Sequence, residues 1–119
     1  MSRLVAMLDA RLLPLGAVSK KMFGGVGFMV NGNMTAGTFR DGVLFRAGPD
    51  FAAVAARRPE ARPMEMNGRV AAGYWIVSDS ALDARTFDFW LDAALAFNAK
   101  LPAKAEGAAK EKMARKKPS

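Results

Sequence analysis

Apolar residues near the start of the chain recur every three or four positions, as they do on one face of a helix: Leu4, Leu8, Leu12 and Leu15. This spacing predicts an amphipathic helix over residues 2–13, with Ser2 as its N-cap. Pro14 and Gly16 follow, and both residue types end helices.

From residue 18 the pattern changes to strands separated by turns. Asn31-Gly32 and Asp41-Gly42 are strong hairpin signals, because type I′ turns need positive φ at both central positions. We therefore predict a meander of three strands, over about residues 19–30, 33–40 and 43–47.

Another helix and a second hairpin follow in the pattern. Pro49 opens a short helix that runs to about residue 58. Asn67-Gly68 then joins a strand over 62–66 to one over 69–78, whose aromatic and β-branched residues are typical of a central strand.

The last predicted helix begins at Asp79 or Asp83 as N-cap and ends at Pro102. Its apolar stripe spans about four turns and comprises Phe87, Trp90, Leu91, Ala94, Phe97 and Leu101. We expect Phe87 and Trp90 to be buried against the sheet. The order α-β-β-β-α-β-β-α predicts an α+β fold of two layers, an antiparallel sheet with helices packed mainly on one face.

Charge separates the chain into a domain and a tail. The 119 residues carry a net charge of +7. Residues 1–102 hold twelve basic and nine acidic side chains, whereas residues 103–119 hold six basic and two acidic ones. We predict a folded domain over 1–102 and a disordered basic tail over 103–119, since the tail has no apolar periodicity.

Catalytic chemistry finds little support in the composition. The chain has no cysteine and no histidine, which removes thiolate nucleophiles and the commonest general base and metal ligand. Asp88 and Asp92 share a helix face off the apolar stripe, which favours a solvated surface over a metal or acid–base site. We therefore expect a non-enzymatic protein with no cofactor and no metal.

Neither a secretory leader nor a membrane helix is predicted. Asp9 and Arg11 interrupt the first apolar run, and the charge-free stretch before Arg40 is rich in Gly, Asn and Thr. We expect a soluble, cytoplasmic protein without membrane contact.

The segment from Lys20 to Gly27 combines two lysines with three glycines. A phosphate-binding loop or a small-molecule pocket is one interpretation. The spacing matches neither the P-loop nor the dinucleotide fingerprint, and the segment leads into a strand. We favour a bulged strand start in which glycine tolerates a close neighbour.

The same segment carries a family resemblance. Lys-Lys-Met-Phe-Gly-Gly-Val-Gly-Phe-Met at 20–29, followed by Asn-Gly-Asn-Met, resembles the start of the TfoX/Sxy N-terminal domain family. Arg62-Pro63-Met64, Gly73-Tyr74-Trp75 and the last helix fit that family in order, so the resemblance covers about residues 10–102. It implies the predicted topology and a stand-alone N-terminal domain that lacks the family's second, C-terminal domain. It also implies a link to competence-type transcriptional regulation, and no catalytic residues.

Two kinds of interaction surface follow from the residues. Six basic side chains are candidates for one patch: Lys20, Lys21, Arg57, Arg58, Arg62 and Arg69. In the tail the candidates are Lys110, Lys112, Arg115, Lys116 and Lys117. These groups suit phosphate contacts, although no helix-turn-helix or RNA-binding aromatic motif accompanies them.

The second kind is apolar, because the predicted register makes both sheet faces apolar. One face carries Val26, Phe28, Val30, Thr35, Phe39 and Leu44; the other carries Met29, Met34, Ala36, Thr38, Val43 and Phe45. Phe28 and Phe39 are therefore candidate interaction residues. We expect a homodimeric interaction module that also contacts a transcription-related protein, with direct nucleic-acid binding through the basic residues as the alternative.

Overall fold

The computed structural model describes residues 3–22 and 24–102, and within them the chain forms one six-stranded antiparallel sheet. The strands are β1 (Val18–Met22), β2 (Gly25–Val30), β3 (Asn33–Phe39), β4 (Gly42–Arg46), β5 (Ala61–Met66) and β6 (Arg69–Ser78). Their order across the sheet is β1-β2-β3-β4-β6-β5. The α+β class is confirmed.

Three α-helices accompany the sheet in the described residues: α1 (Arg3–Leu12), α2 (Ala52–Ala55) and α3 (Ala84–Asn98). Short 3₁₀ turns at Leu13–Leu15, Pro49–Phe51 and Asp79–Ala81 precede β1, α2 and α3. Asp83 caps α3, because its carboxylate accepts a hydrogen bond from the Thr86 amide at 2.8 Å. Ser2, the predicted cap of α1, lies outside the described residues.

The strand predicted over residues 19–30 is in fact a hairpin. Gly24 lies between β1 and β2 with a φ of 76°, a left-handed conformation that glycine adopts without strain. Lys20 consequently pairs with Gly27 instead of continuing the same strand. The observed order, α-β-β-β-β-α-β-β-α, therefore has one strand more than predicted.

Two of the three predicted hairpin turns are confirmed. Asn31-Gly32 and Asn67-Gly68 have positive φ at both positions, as type I′ turns require. The turn predicted at Asp41-Gly42 is wrong by one residue, because Phe39 pairs with Gly42. Gly42 belongs to β4, where a β-carbon would collide with the carbonyl oxygen of Val77 on β6. Close strand packing, rather than turn geometry, accounts for this glycine.

A β-bulge in β3 corrects the predicted faces. Phe28 pairs with Ala36 and Met29 pairs with Met34, so Thr35 has no partner of its own on β2. Phe39 and Leu44 consequently lie on the face opposite Phe28, contrary to the prediction. The helix-covered face instead carries Ala36, Thr38, Val43 and Phe45 together with Phe28 and Val30.

The main core lies between this face and the helices α1 and α3. Trp90, Phe28 and Phe45 are among its largest fully buried side chains, and Phe87 is also buried. The predicted burial of Phe87 and Trp90 is confirmed. At the surface Arg11 of α1 forms ion pairs with both Asp88 and Asp92 of α3. These carboxylates therefore link two helices along a solvated face, as their position off the apolar stripe indicates.

Candidate interaction surfaces

The side of the sheet away from α1 and α3, called here the open face, carries an apolar cluster of its own. Leu44, Met64 and Ile76 are only 2–3% exposed. Half-buried side chains surround them: Met34, Phe39, Ala71 and Tyr74. No residue of the three described α-helices joins this cluster. Among the described residues, this cluster is thus covered by side chains of the sheet itself and by no α-helix.

Glycine and methionine shape the open face between β1 and β4. A β-carbon on Gly27 would lie 2.6 Å from the sulfur of Met22, and one on Gly37 would lie 3.2 Å from the terminal methyl of Met34. Each methionine therefore lies over a glycine. Unbranched thioether side chains adapt to different neighbours, which suits a surface that makes contacts.

An exposed aliphatic residue extends the open face at its β1 edge. Val18 at the start of β1 is 43% exposed. Val18 pairs with Met29, and Met29 pairs with Met34 on β3. A line of apolar side chains therefore leads from the edge of the sheet towards the centre of the open face.

The predicted single basic patch is wrong. Lys20 and Lys21 lie on β1 at one edge of the sheet, whereas Arg62 and Arg69 lie on β5 and β6 at the other. At least four strand spacings separate the two groups, which is about 19 Å. The sequence could not show this separation because the order of strands is set by tertiary pairing.

The remaining candidate residues have different environments. Phe28 is completely buried beneath the helices, so its prediction as an interaction residue is wrong. Phe39 is half-buried on the open face, where it is available for contact. Arg57 is exposed after α2, and Arg58 is half-buried beside it. The five basic candidates of the tail lie outside the described residues.

A second concave surface, called here the α2 groove, carries no signal in the sequence. It has a volume of about 430 Å³ and lies between α2 with its preceding 3₁₀ turn and the hairpin β5–β6. Small and apolar side chains make most of its wall, among them Pro49, Ala52, Ala56, Pro59, Val70 and Trp75. The groove arises because the 3₁₀ turn before α2 packs against β6, a contact between distant segments.

Behind the α2 groove, Glu60 forms a polar link to the core. Its carboxylate accepts hydrogen bonds from the indole Nε1 of Trp90 at 3.1 Å and from Nε of Arg58 at 2.8 Å. Burial raises the pKa of Glu60, but the bonds from Trp90, its own backbone and Arg58 outweigh burial and hold the pKa below its ordinary value of 4.5. The Arg58 guanidinium also lies over the ring of Phe89, 3.8 Å from its centroid.

The glycine-rich segment has no loop geometry for phosphate. Gly25, Val26 and Gly27 belong to β2, and the Val26 amide donates to the hydroxyl of Thr38 at 2.9 Å. Gly27 pairs with both Lys20 and Gly37. Gly25 and Gly27 thus lie in a strand beside close neighbours, as the strand interpretation expects, but Gly24 lies in a turn between two strands and not in a bulge. Among the described residues no group of three or more carboxylates is placed to hold a metal ion.

A comparison with protein families identifies this arrangement. The model of the TfoX N-terminal domain matches residues 11–98, most of the chain. The chain belongs to the TfoX N-terminal domain family. The match extends from the end of α1 to the end of α3 and supports a regulatory, competence-type domain.

Both candidate surfaces of this TfoX N-terminal domain lie within the matched region. Searches of curated proteins and of solved structures return no match. None of the helices in the described part of the chain has the length and apolar character needed to cross a membrane.

Proposed function

We propose that this TfoX N-terminal domain is a non-enzymatic interaction module that joins two copies of the chain through the open face and acts in competence-type regulation by protein–protein contact. The observation that carries the proposal is the group of half-buried side chains on a sheet face that no described α-helix covers: Met34, Phe39, Ala71 and Tyr74. An apolar sheet face of this kind is stabilised when a second layer covers it.

The size of the open face supports a second copy as its cover. Five strand spacings and strands of about five residues give a footprint of roughly 24 by 17 Å. Protruding side chains and Val18 at the β1 edge extend this area. The total approaches the lower end of stable interfaces, in which each partner buries on the order of 600–800 Å².

Contact with protein is favoured over direct nucleic-acid binding by the placement of charge. Among the basic candidates, Lys20 and Lys21 lie at one side of the sheet and Arg62 and Arg69 at the other, with an apolar surface between them. Phosphate backbones are bound by continuous basic surfaces. The chemistry also agrees with a non-enzymatic role, because Arg3 and Arg11 form ion pairs with Asp79, Asp88 and Asp92.

Light scattering at about 10 μM, where interfaces of this size hold dimers together, tests the proposal. We expect the chain to have twice its monomer mass of 12.8 kDa. Met34→Glu, at the centre of the open face, should give the monomer. Val54→Glu is the matched control, because Val54 is 42% exposed on α2 and away from the open face.

Circular dichroism should show that both variants are folded. If Met34→Glu does not fold, Val18→Glu at the exposed edge replaces it. A wild-type mass of 12.8 kDa, or folded open-face variants that remain dimeric, would contradict the proposal.

A further inference from the structure

Methionines are concentrated on the open face. Of the five methionine side chains that the structure describes, four lie there: Met22, Met29, Met34 and Met64. Met34 and Met64 belong to the apolar cluster, and Met29 pairs with Met34. Met22 lies on the same side as Val18, the partner of Met29, because side chains four positions apart on a strand point to one face. Thioether groups from four different strands therefore share this surface.

Three of these methionines are open to solvent in the single chain, and the fourth is not. Met22, Met29 and Met34 are half-buried, whereas Met64 is 2% exposed. The chain has no cysteine, so thioethers are the sulfur groups on which peroxides act. A dissolved oxidant can therefore reach three thioethers of the open face without unfolding the sheet.

We propose that the open face is a site of reversible methionine oxidation, at which hydrogen peroxide converts Met22, Met29 and Met34 to sulfoxides and so prevents two copies of the chain from joining. This inference rests on the dimer proposed above, whose interface it regulates. Because that interface shields the three side chains, oxidation takes place on the dissociated chain and holds it in the monomeric state.

The chemical step needs hydrogen peroxide as its only co-reactant. The thioether sulfur attacks one peroxide oxygen with a lone pair, so an S–O bond forms and the O–O bond breaks. The sulfur is oxidised to a sulfoxide, and the peroxide is reduced to one molecule of water, which keeps both hydrogens. A sulfoxide is polar, whereas a thioether is apolar. Assembly of oxidised chains would bury the new oxygen atoms in an apolar interface, which weakens the dimer.

Partial oxidation of the full chain tests the inference without any substitution. Monomer and dimer are separated by size-exclusion chromatography after peroxide treatment, and peptide mass spectrometry locates the added oxygen in each fraction. Sulfoxide at Met22, Met29 or Met34 should be enriched at least about tenfold in the monomer, because a buried polar group without a partner disfavours assembly. Sulfoxide at Met7 on α1, which packs against the main core, should divide equally. Met64 should remain a thioether while the sheet stays folded.

Leucine variants give a second measurement. The triple variant Met22→Leu, Met29→Leu, Met34→Leu keeps the apolar volume, removes the oxidisable sulfurs and retains every other methionine. Sedimentation at a series of concentrations measures the Kd of the dimer. Peroxide should leave the Kd of the triple variant within about twofold and raise that of wild type and of the control Met7→Leu at least about tenfold. Methionine sulfoxide reductases should restore the wild-type Kd.

The outcomes separate this inference from the proposed dimer. A wild-type chain that is monomeric before peroxide removes the dimer and this inference with it. A normal dimer that persists after oxidation of Met22, Met29 and Met34 overturns this inference alone. Equal division of their sulfoxides between the fractions, or oxidation of Met64 before the other three, does the same. Should the triple variant fail to fold, the mapping of wild-type fractions decides by itself.

Discussion

Glu60 shows how a single carboxylate joins the helix α3 to the β5 side of the sheet. Burial raises its pKa, yet hydrogen bonds from Trp90 and Arg58 bring the pKa in the folded state below 4.5. Because the pKa is depressed on folding, ionised Glu60 stabilises the fold above about pH 4.5, and this contribution is lost as the pH falls through the folded value. Stability falls with decreasing pH because the Glu60 carboxylate binds a proton more readily in the unfolded chain than in the folded one.

Glu60→Gln should therefore lower the urea midpoint at pH 7 and flatten the loss of stability as the pH falls below about 4.5. Stabilities of wild type and variant should converge once Glu60 is protonated in the folded state as well. Urea unfolding at a series of pH values measures this, with the exposed Glu65→Gln as control. Parallel pH curves for wild type and Glu60→Gln would show that Glu60 does not carry the effect.

Trp90 is the residue on which the aromatic core depends most. It is fully buried and lies within about 5.4–6.2 Å, centroid to centroid, of Phe45, Phe51, Trp75 and Phe89. Trp90→Ala should destabilise the fold by about 3–5 kcal/mol through the cavity it leaves. Trp90→Phe keeps most of the volume and loses the bond to Glu60, so a smaller loss is expected in denaturant unfolding. Equal losses for both variants would show that the hydrogen bond, rather than packing, dominates.

At the scale of elements, regular periodicity and turn chemistry were readable from the sequence. The stripe on α3 is confirmed for Phe87, Trp90, Leu91 and Ala94, and both Asn-Gly turns form. The helix ends at Asn98, earlier than predicted, so Phe97 is only half-buried and Leu101 lies beyond it. The hairpin at Gly24 was missed because the residues around it continue an apolar pattern without a two-residue turn signal. The bulge at Thr35 was missed because the residue inserted at a bulge has no sequence signal of its own. A regular alternation of side chains between the two faces was therefore assumed for β3.

The bulge also explains which candidate site residues were misplaced. An extra residue in β3 exchanges the faces of everything that follows it in the meander, so Phe39 reaches the open face and Phe45 reaches the core. The sequence predicts apolar residues on both faces of the sheet. The amino-acid composition of the faces therefore did not show which one the helices cover. The α2 groove could not be predicted from the sequence, because it requires the 3₁₀ turn before α2 to pack against β6.

The reason for the bulge lies in a contact between elements. Asn98 near the end of α3 is buried, and its side-chain amide donates to the carbonyl of Val30 at 3.0 Å and to the hydroxyl of Thr35 at 3.1 Å. The Thr35 hydroxyl also bonds to the carbonyl of Asn33 at 3.2 Å. The bulge thus presents polar groups of β2 and β3 to the last turn of α3.

Asn98→Leu should cost about 1–3 kcal/mol, because it leaves buried oxygen atoms without a hydrogen bond. Chemical denaturation measures the loss. The double variant Asn98→Leu with Thr35→Val removes one of those orphaned groups and should recover part of the stability, as coupling between neighbours requires. Strictly additive losses would contradict the inferred link between α3 and the bulge.

For the whole molecule, the sheet edges carry features that oppose continued strand addition. Lys20 and Lys21 lie on the edge strand β1, and β5 at the other edge carries Arg62, Pro63 and Glu65. Charged side chains and proline on edge strands disfavour pairing with another sheet. Assembly through the open face is consequently easier than assembly through the edges, which favours a closed dimer over an open-ended array.

The division of charge between domain and tail gives the last prediction. Deleting residues 103–119 lowers the net charge from +7 to +3. The buried hydrophobic residues of the described structure all lie between Leu4 and Ala94, so we expect the melting temperature to change by less than about 2 °C, the scale of a few tenths of a kcal/mol. The predicted disorder of the tail concerns residues outside the described structure, and this deletion tests its contribution to stability.

The same deletion distinguishes the alternative of nucleic-acid contact through the tail. If the tail binds polyanions, its removal should weaken binding to a short DNA duplex and flatten the dependence of log affinity on log salt, because released counterions follow the number of phosphate contacts. Anisotropy titrations at several salt concentrations measure the slope. A variant in which Lys110, Lys112, Arg115, Lys116 and Lys117 are all glutamine is the matched control of unchanged length. A loss of folding in the deletion but not in the glutamine variant would make the tail structural, whereas an unchanged salt slope in both would place any DNA contact on the two sheet edges.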